Sequence, residues 1–304
     1  MPRALLALAV REVFRRELIP LRLRWWFAAE GMGDWYRVLR RDLSPHVGGD
    51  ARASTILSEI SAPMFHRRHD LLHTAYGVPS RHEDPRRVGL VMGGLYRIAS
   101  QPDSDWIFRS VGGGPSTFAD HLRAERDIAR LPLQARWEEL TCHLGELLIA
   151  LTERLPAHLP RARGILGDIC FSAGERFGRK MKRAFELEVT PESALELLRM
   201  GEYIFRVNPE HWGEADAKNN RGWLEGTACP WYTAPGWNGA HCGIFGQFQS
   251  GISAVFGLRY HLTTTIPKNG GHTCRIDVKP ILASSLVRDG ARAGRPDRQD
   301  RSAS

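Results

Sequence analysis

The chain has 304 residues, 42% hydrophobic and 25% charged, with 9 tryptophans and a formal net charge of +8. That mixture can bury a core, and it excludes a chain disordered throughout, a collagen-like chain and a disulfide miniprotein. No apolar run approaches the roughly 18–20 residues of a membrane span. No signal-peptide pattern opens the chain, and its five sparse cysteines read as reduced thiols of a cytoplasmic protein.

The basic excess is spread out. Residues 1–24 carry six Arg against two Glu, and the chain from residue 281 carries five Arg against three Asp. With no Lys/Arg block interleaved with aromatics, and no helix-turn-helix or zinc-finger spacing, a nucleic-acid partner is not expected.

Taken in chain order, residues 2–30 form the first helix candidate. Leu6, Val10, Val13, Phe14, Leu18 and Leu21 recur at three- and four-residue steps, and Pro20 should kink or end the helix. Such a basic amphipathic helix can lie on a membrane. Glu12 and Glu17 dilute the basic face, which favours docking on its own domain or on a second subunit of a homodimer.

Residues 31–160 read as helices cut by turns at Gly48-Gly49-Asp50, Pro79-Ser80, Asp84-Pro85 and the glycine run 112–114. That run lacks the Lys-Ser/Thr of a phosphate loop and reads as a connector into a helix capped near Ser116. A long amphipathic helix follows Pro132.

From residue 161 the pattern changes. Residues 165–188 read as a helix whose Gly174 and Gly178 would admit another backbone, and Pro191 to Gly201 as the next helix. Residues 203–207 and 223–228 read as strands, 242–256 as a helix and 259–266 as a strand. A turn at 268–271 leads into the partner strand 273–278. The last twenty or so residues have too little apolar content to fold. The expected fold is mixed α+β. A helical region spans 1–160, a compact α/β domain with a C-terminal β-hairpin spans 161–281, and a disordered tail spans 282–304.

Two constellations could carry chemistry. His66, His69, Asp70 and His73 share one side of a helix, with ligand types that suit zinc or iron. Arg67 and Arg68 beside them oppose a dication. The second set is Cys229, Cys242 and Cys274, separated by 12 and 31 residues, which matches no zinc knuckle. Cys242 falls at an expected helix start, where a thiolate is favoured. A thiolate–imidazole pair would then join Cys242 to His272 or His261. The alternative is that these thiols are small buried hydrophobes.

The run from Cys242 to Gly257, followed by Gly270-Gly-His-Thr-Cys274, resembles the 4-vinyl-reductase type of small-molecule-binding domain. That resemblance implies a small α/β module holding an apolar or aromatic ligand, with a zinc held by cysteines and a glutamate. Cys242 and Cys274 match the outer cysteines. The intervening ligand positions fall around Thr264 and Ile266, so Cys229 or His272 would have to complete the site.

The Cys229-Pro230 motif, Cys242 and the hairpin at Gly271 to Cys274 are similar to the L-2-amino-thiazoline-4-carboxylic acid hydrolase family. This second resemblance implies hydrolysis of a small cyclic C–N/C–S substrate. Cys242, Cys229 and His272 would be catalytic, with Cys229, Cys242 and Cys274 as the metal set. Trp231, Trp237 and Phe245 are the expected substrate-binding aromatics, and Glu214, Asp216 and Glu225 the candidate bases.

Overall fold

The computed structural model describes residues 3–80, 84, 86–98, 106, 111, 117–205, 211–268, 270 and 273–281. Nine α-helices and four strands lie among them. The N-terminal helix candidate is interrupted before Pro20, giving α1 (Arg3–Arg15) and α2 (Leu21–Val47). The break centres on Glu17, at φ 54°, with Pro20 as the N-cap of α2.

α1 docks on its own chain. The Arg11 guanidinium donates to both carboxylate oxygens of Glu196 at 2.8 and 2.7 Å, and Phe14 meets Phe185 edge-on. Val13 and Leu18, expected on the buried face, are exposed. Phe14, expected on that face, does pack on the protein, and Ala7 is buried in place of those two.

α3 (Asp50–Tyr76), α4 (Arg86–Leu95), α5 (Phe118–Arg130) and α6 (Leu133–Arg154) follow. Gly48 and Gly77, both at positive φ, close α2 and α3, as left-handed C-caps do. A capping box of Thr117 and Asp120 opens α5, one residue beyond the expected cap. The glycine run itself lies outside the described residues, as does the expected tail 282–304.

α7 (Ala162–Ala184) packs against α9 (Gly239–Ala254) over most of their lengths. The expected close approach is present. A Cβ at Gly174 would lie 2.8 Å from the carbonyl carbon of Phe248, and one at Gly251 would lie 2.8 Å from the backbone nitrogen of Glu175.

α8 (Pro191–Phe205) corrects one expectation, because Tyr203 to Phe205 are helical rather than a strand; residues 206 and 207 lie outside the described residues. A glycine inside a helix costs about 1 kcal/mol relative to alanine. Burial of Tyr203 and Ile204 past Gly201 outweighs that, helped by the bond from Trp137 Nε1 to the Ile204 carbonyl at 2.6 Å.

The sheet has the order β1 (His211–Asp216), β2 (Arg221–Gly226), β4 (Cys274–Pro280), β3 (Leu258–Thr264), antiparallel throughout. Its inner face contributes Leu224, Leu258, Ile276 and Val278 to a core shared with α8 and α9. The outer face carries Arg275 over Trp223 and paired with Glu225. A larger core fills the helical part and extends past residue 160 to include Leu166, Cys170, Tyr203, Trp231 and Ile244. Among the described residues, no helix is long and apolar enough to cross a membrane.

Candidate functional site

Two cavities adjoin where the helical part meets the sheet. The larger, of about 350 Å³, lies among α2, α6, α7, α8 and α9. Its interior is apolar, with Met32, Leu144, Leu148, Phe248 and Ile252 among the lining residues. Its exposed edge carries Arg37, Arg41, Arg176 and Lys180. Two acids partner three of these cations: Arg37 pairs with Asp34, while Arg41 and Arg176 both meet Asp42, at 2.6 and 2.7 Å. The edge is therefore net positive.

The smaller cavity, of about 60 Å³, is lined by Cys229, Cys242 and Cys274 together with Trp231, Trp237, Phe245 and Tyr260. The tertiary structure thus converges three cysteines that lie far apart in sequence. Trp231 is buried, donates from Nε1 to the Thr141 carbonyl at 2.7 Å and lies against the bare backbone of Gly145. It anchors the loop before α9 to α6 and also lines the cavity. Trp237 lies tilted against it at 4.8 Å and stacks on His241 at 5.2 Å.

The expected thiolate at Cys242 is not what this environment favours. α9 starts at Gly239 with Asn238 as its N-cap, so Cys242 lies at its fourth residue. Burial pushes its thiol up to about 11, and pushes Cys274 up to about 12. Desolvation outweighs the helix terminus, because a thiolate loses its hydration in an apolar pocket. Cys274 Sγ instead accepts from the Ile266 backbone N–H at 3.1 Å. Alkylation by iodoacetamide at pH 8 should therefore reach the exposed Cys142 well before Cys242, Cys274 or the buried Cys170. Peptide mass mapping over time gives the order.

The imidazole partners also differ from expectation. His241 completes the capping box of its own helix, accepting from the Asn238 N–H at 3.1 Å. His261 lies exposed in the register opposite Asp277 and does not line the cysteine cavity. His272 lies outside the described residues.

Metal ligation fares no better. Among the described residues, no group of three or more His, Cys, Asp or Glu side chains is placed to hold a metal ion. His66, His69, Asp70 and His73 do not form the expected site. His69 is buried in the helical core, and His73 Nδ1 contacts the Val78 carbonyl oxygen at 2.6 Å. The acids facing this helix, Glu139 and Glu146, are taken by Arg68 and Arg67. Nor do Cys229, Cys242 and Cys274 fit zinc, although they share a cavity.

The candidate bases lie elsewhere. Glu225 pairs with Arg275 at 3.3 Å, Asp216 closes the β1–β2 turn with Asn219 and Arg221, and Glu214 is exposed. None of them lines either cavity. The carboxyl that does line both is Glu202, on α8, which the motif reading missed. Its signal was faint: one acid on the buried side of the apolar run from Leu197 to Ile204.

Burial is the largest influence on Glu202 and raises it to about 8, against the opposing pull of Arg199 and a bond from Gln249 Nε2 at 3.4 Å. The folded state thus holds this proton more tightly than the unfolded chain, where the value is near 4.5. The stability this contributes is full below the unfolded value and is lost as pH rises to about 8, at roughly 1.4 kcal/mol per pH unit over the interval. Denaturant midpoints of wild type should fall between pH 5 and pH 8, relative to Glu202→Gln, whose curve should be flatter. Parallel curves would show that Glu202 is ionised in the folded protein.

Compared with protein-family models, with curated proteins and with solved structures, the chain has no match.

Proposed function

We propose that the chain binds a small amphipathic anion in the larger cavity, with the apolar body inside and the anionic group on the basic edge. One observation carries this reading. A well-formed apolar cavity of drug-like size, with a few convergent polar groups, is the usual form of a ligand site, and here the charges at its edge are Arg37, Arg41, Arg176 and Lys180 against Asp34 and Asp42. A carboxylate, sulfonate or phosphate suits such an edge. The reading agrees with the ligand-binding alternative that the resemblance to the 4-vinyl-reductase type of domain implies.

Isothermal titration with 4-phenylbutanoate at low salt tests it. Saturable binding is expected, weakened about tenfold or more by Arg176→Glu with Lys180→Glu, and abolished by Leu148→Trp, which fills the cavity. If 4-phenylbutanoate fails to bind, or binds equally well to all three proteins, the proposal is wrong.

A hydrolase acting on a small cyclic C–N/C–S substrate is the second reading. What favours it is the convergence of Cys229, Cys242, Cys274 and Glu202 on the smaller cavity. In that reading the buried Glu202 carboxyl moves the proton of an attacking water, as raised carboxyls do in other acid–base sites. Ring opening of 2-aminothiazoline-4-carboxylate, followed by thiol release, should be lost in Glu202→Gln and in Cys242→Ser. No turnover by wild type would leave binding as the function.

A further inference from the structure

The wall between the two cavities consists of three side chains that line both: Glu202 of α8, and Phe245 and Gln249 of α9. We infer that the two cavities are the outer and inner ends of one ligand site, and that this wall selects an elongated anion carrying an uncharged hydrogen-bonding group, such as an amide or ketone carbonyl, at its inner end. The inference rests on the reading that the larger cavity is a ligand site.

Size is the first argument. The smaller cavity of about 60 Å³ equals the liquid volume of roughly two waters. It is too small for a ligand of its own but suits the terminal group of a molecule seated in its neighbour. Polarity is the second. The larger cavity offers a ligand cations at its edge and apolar side chains within. Its polar inner groups are at the wall, where Tyr260 Oη donates to Gln249 Oε1 at 2.6 Å. That bond turns the Gln249 amide nitrogen toward Glu202 Oε1, 3.4 Å away. Three elements, β3, α9 and α8, thus hold the Glu202 carboxyl in a fixed orientation between the cavities.

The charge state is consistent with an uncharged partner. The raised value of Glu202 leaves its carboxyl mostly protonated at neutral pH, able to donate to a carbonyl. The groups acting on it are Arg199 on its own helix, which also donates to the Gly213 carbonyl, Gln249 from α9, Tyr260 from β3 and Cys274 from β4. A second anionic group at the inner end would be desolvated there with no cation among the described residues that line the smaller cavity.

Two probes separate the outcomes: 4-phenylbutanoate, and 4-(4-acetamidophenyl)butanoate, which adds a carbonyl at the far end. Wild type should bind the acetamido probe about tenfold more tightly. Glu202→Leu should bring the ratio of the two affinities to about one. Glu202→Gln keeps a neutral hydrogen-bonding group and should retain the preference, which guards against a fold defect in the leucine variant. The acetamido probe should also slow alkylation of Cys242 and Cys274 and leave Cys142 unchanged. Binding of both probes with equal affinity, and no thiol protection, would mean two separate cavities. That result would overturn the inference and leave the ligand site standing. If neither probe binds, both fall together.

Discussion

Gly251→Ala should destabilise the protein by about 3 kcal/mol or more, at the upper end of what overpacking costs. Helix propensity alone argues the other way, since alanine is favoured over glycine by about 1 kcal/mol inside a helix. Sterics decide the sign. The new methyl would lie against the Phe171 carbonyl, 2.8 Å from the Glu175 nitrogen. Both are backbone atoms of α7, so no side chain can swing aside. The helices would have to separate, opening the larger cavity that Cys170, Ala173 and Phe248 line. Gly243→Ala on the same helix is the control, because a methyl there meets nothing within 4 Å, and it should be neutral or mildly stabilising. Urea denaturation of the two variants measures the contrast. Equal midpoints would show that the helix pair is looser than described.

Glu139→Leu should cost about 3–5 kcal/mol, the range for leaving a buried charge unpaired. Glu139 is buried and accepts from Arg68 Nε at 2.7 Å and from Tyr96 Oη at 2.7 Å. Without it the Arg68 guanidinium keeps only Glu146, at 3.4 Å. Arg68→Met combined with Glu139→Leu should recover most of the loss, since an apolar pair can replace a buried ion pair at little cost. A double-mutant cycle from denaturation curves gives the coupling. Strictly additive losses would mean that the pair contributes packing alone.

Much of the architecture was legible in the sequence because it depends on local chemistry. Gly48 stops α2 through a left-handed backbone geometry that neighbours do not alter, and Pro20 marks where α2 starts. The four-residue spacing of Gly174 and Gly178 announced the close contact of α7, though not its partner helix. The hairpin strands β3 and β4 were readable from Thr and aromatic content around a glycine turn. The residues after Gly201 were misread as a strand, because propensity there is weak and burial of Tyr203 and Ile204 against the N-terminal part decided the outcome.

The candidate site was only partly legible. Residue type and spacing already marked the side chains that could matter near the C-terminus: Cys229, Cys242 and Cys274 for chemistry, and Trp231, Trp237 and Phe245 for apolar contact. Their convergence on one cavity, and their lack of metal geometry, are three-dimensional facts. The same holds for Glu202. A carboxyl on an amphipathic helix reads as solvated until the opposing faces are known, and only packing of α9 and the sheet over α8 removed it from water. Local signals fix where helices start, stop and touch. Charge state and cavity shape depend on what is packed alongside, and tertiary structure alone decides that.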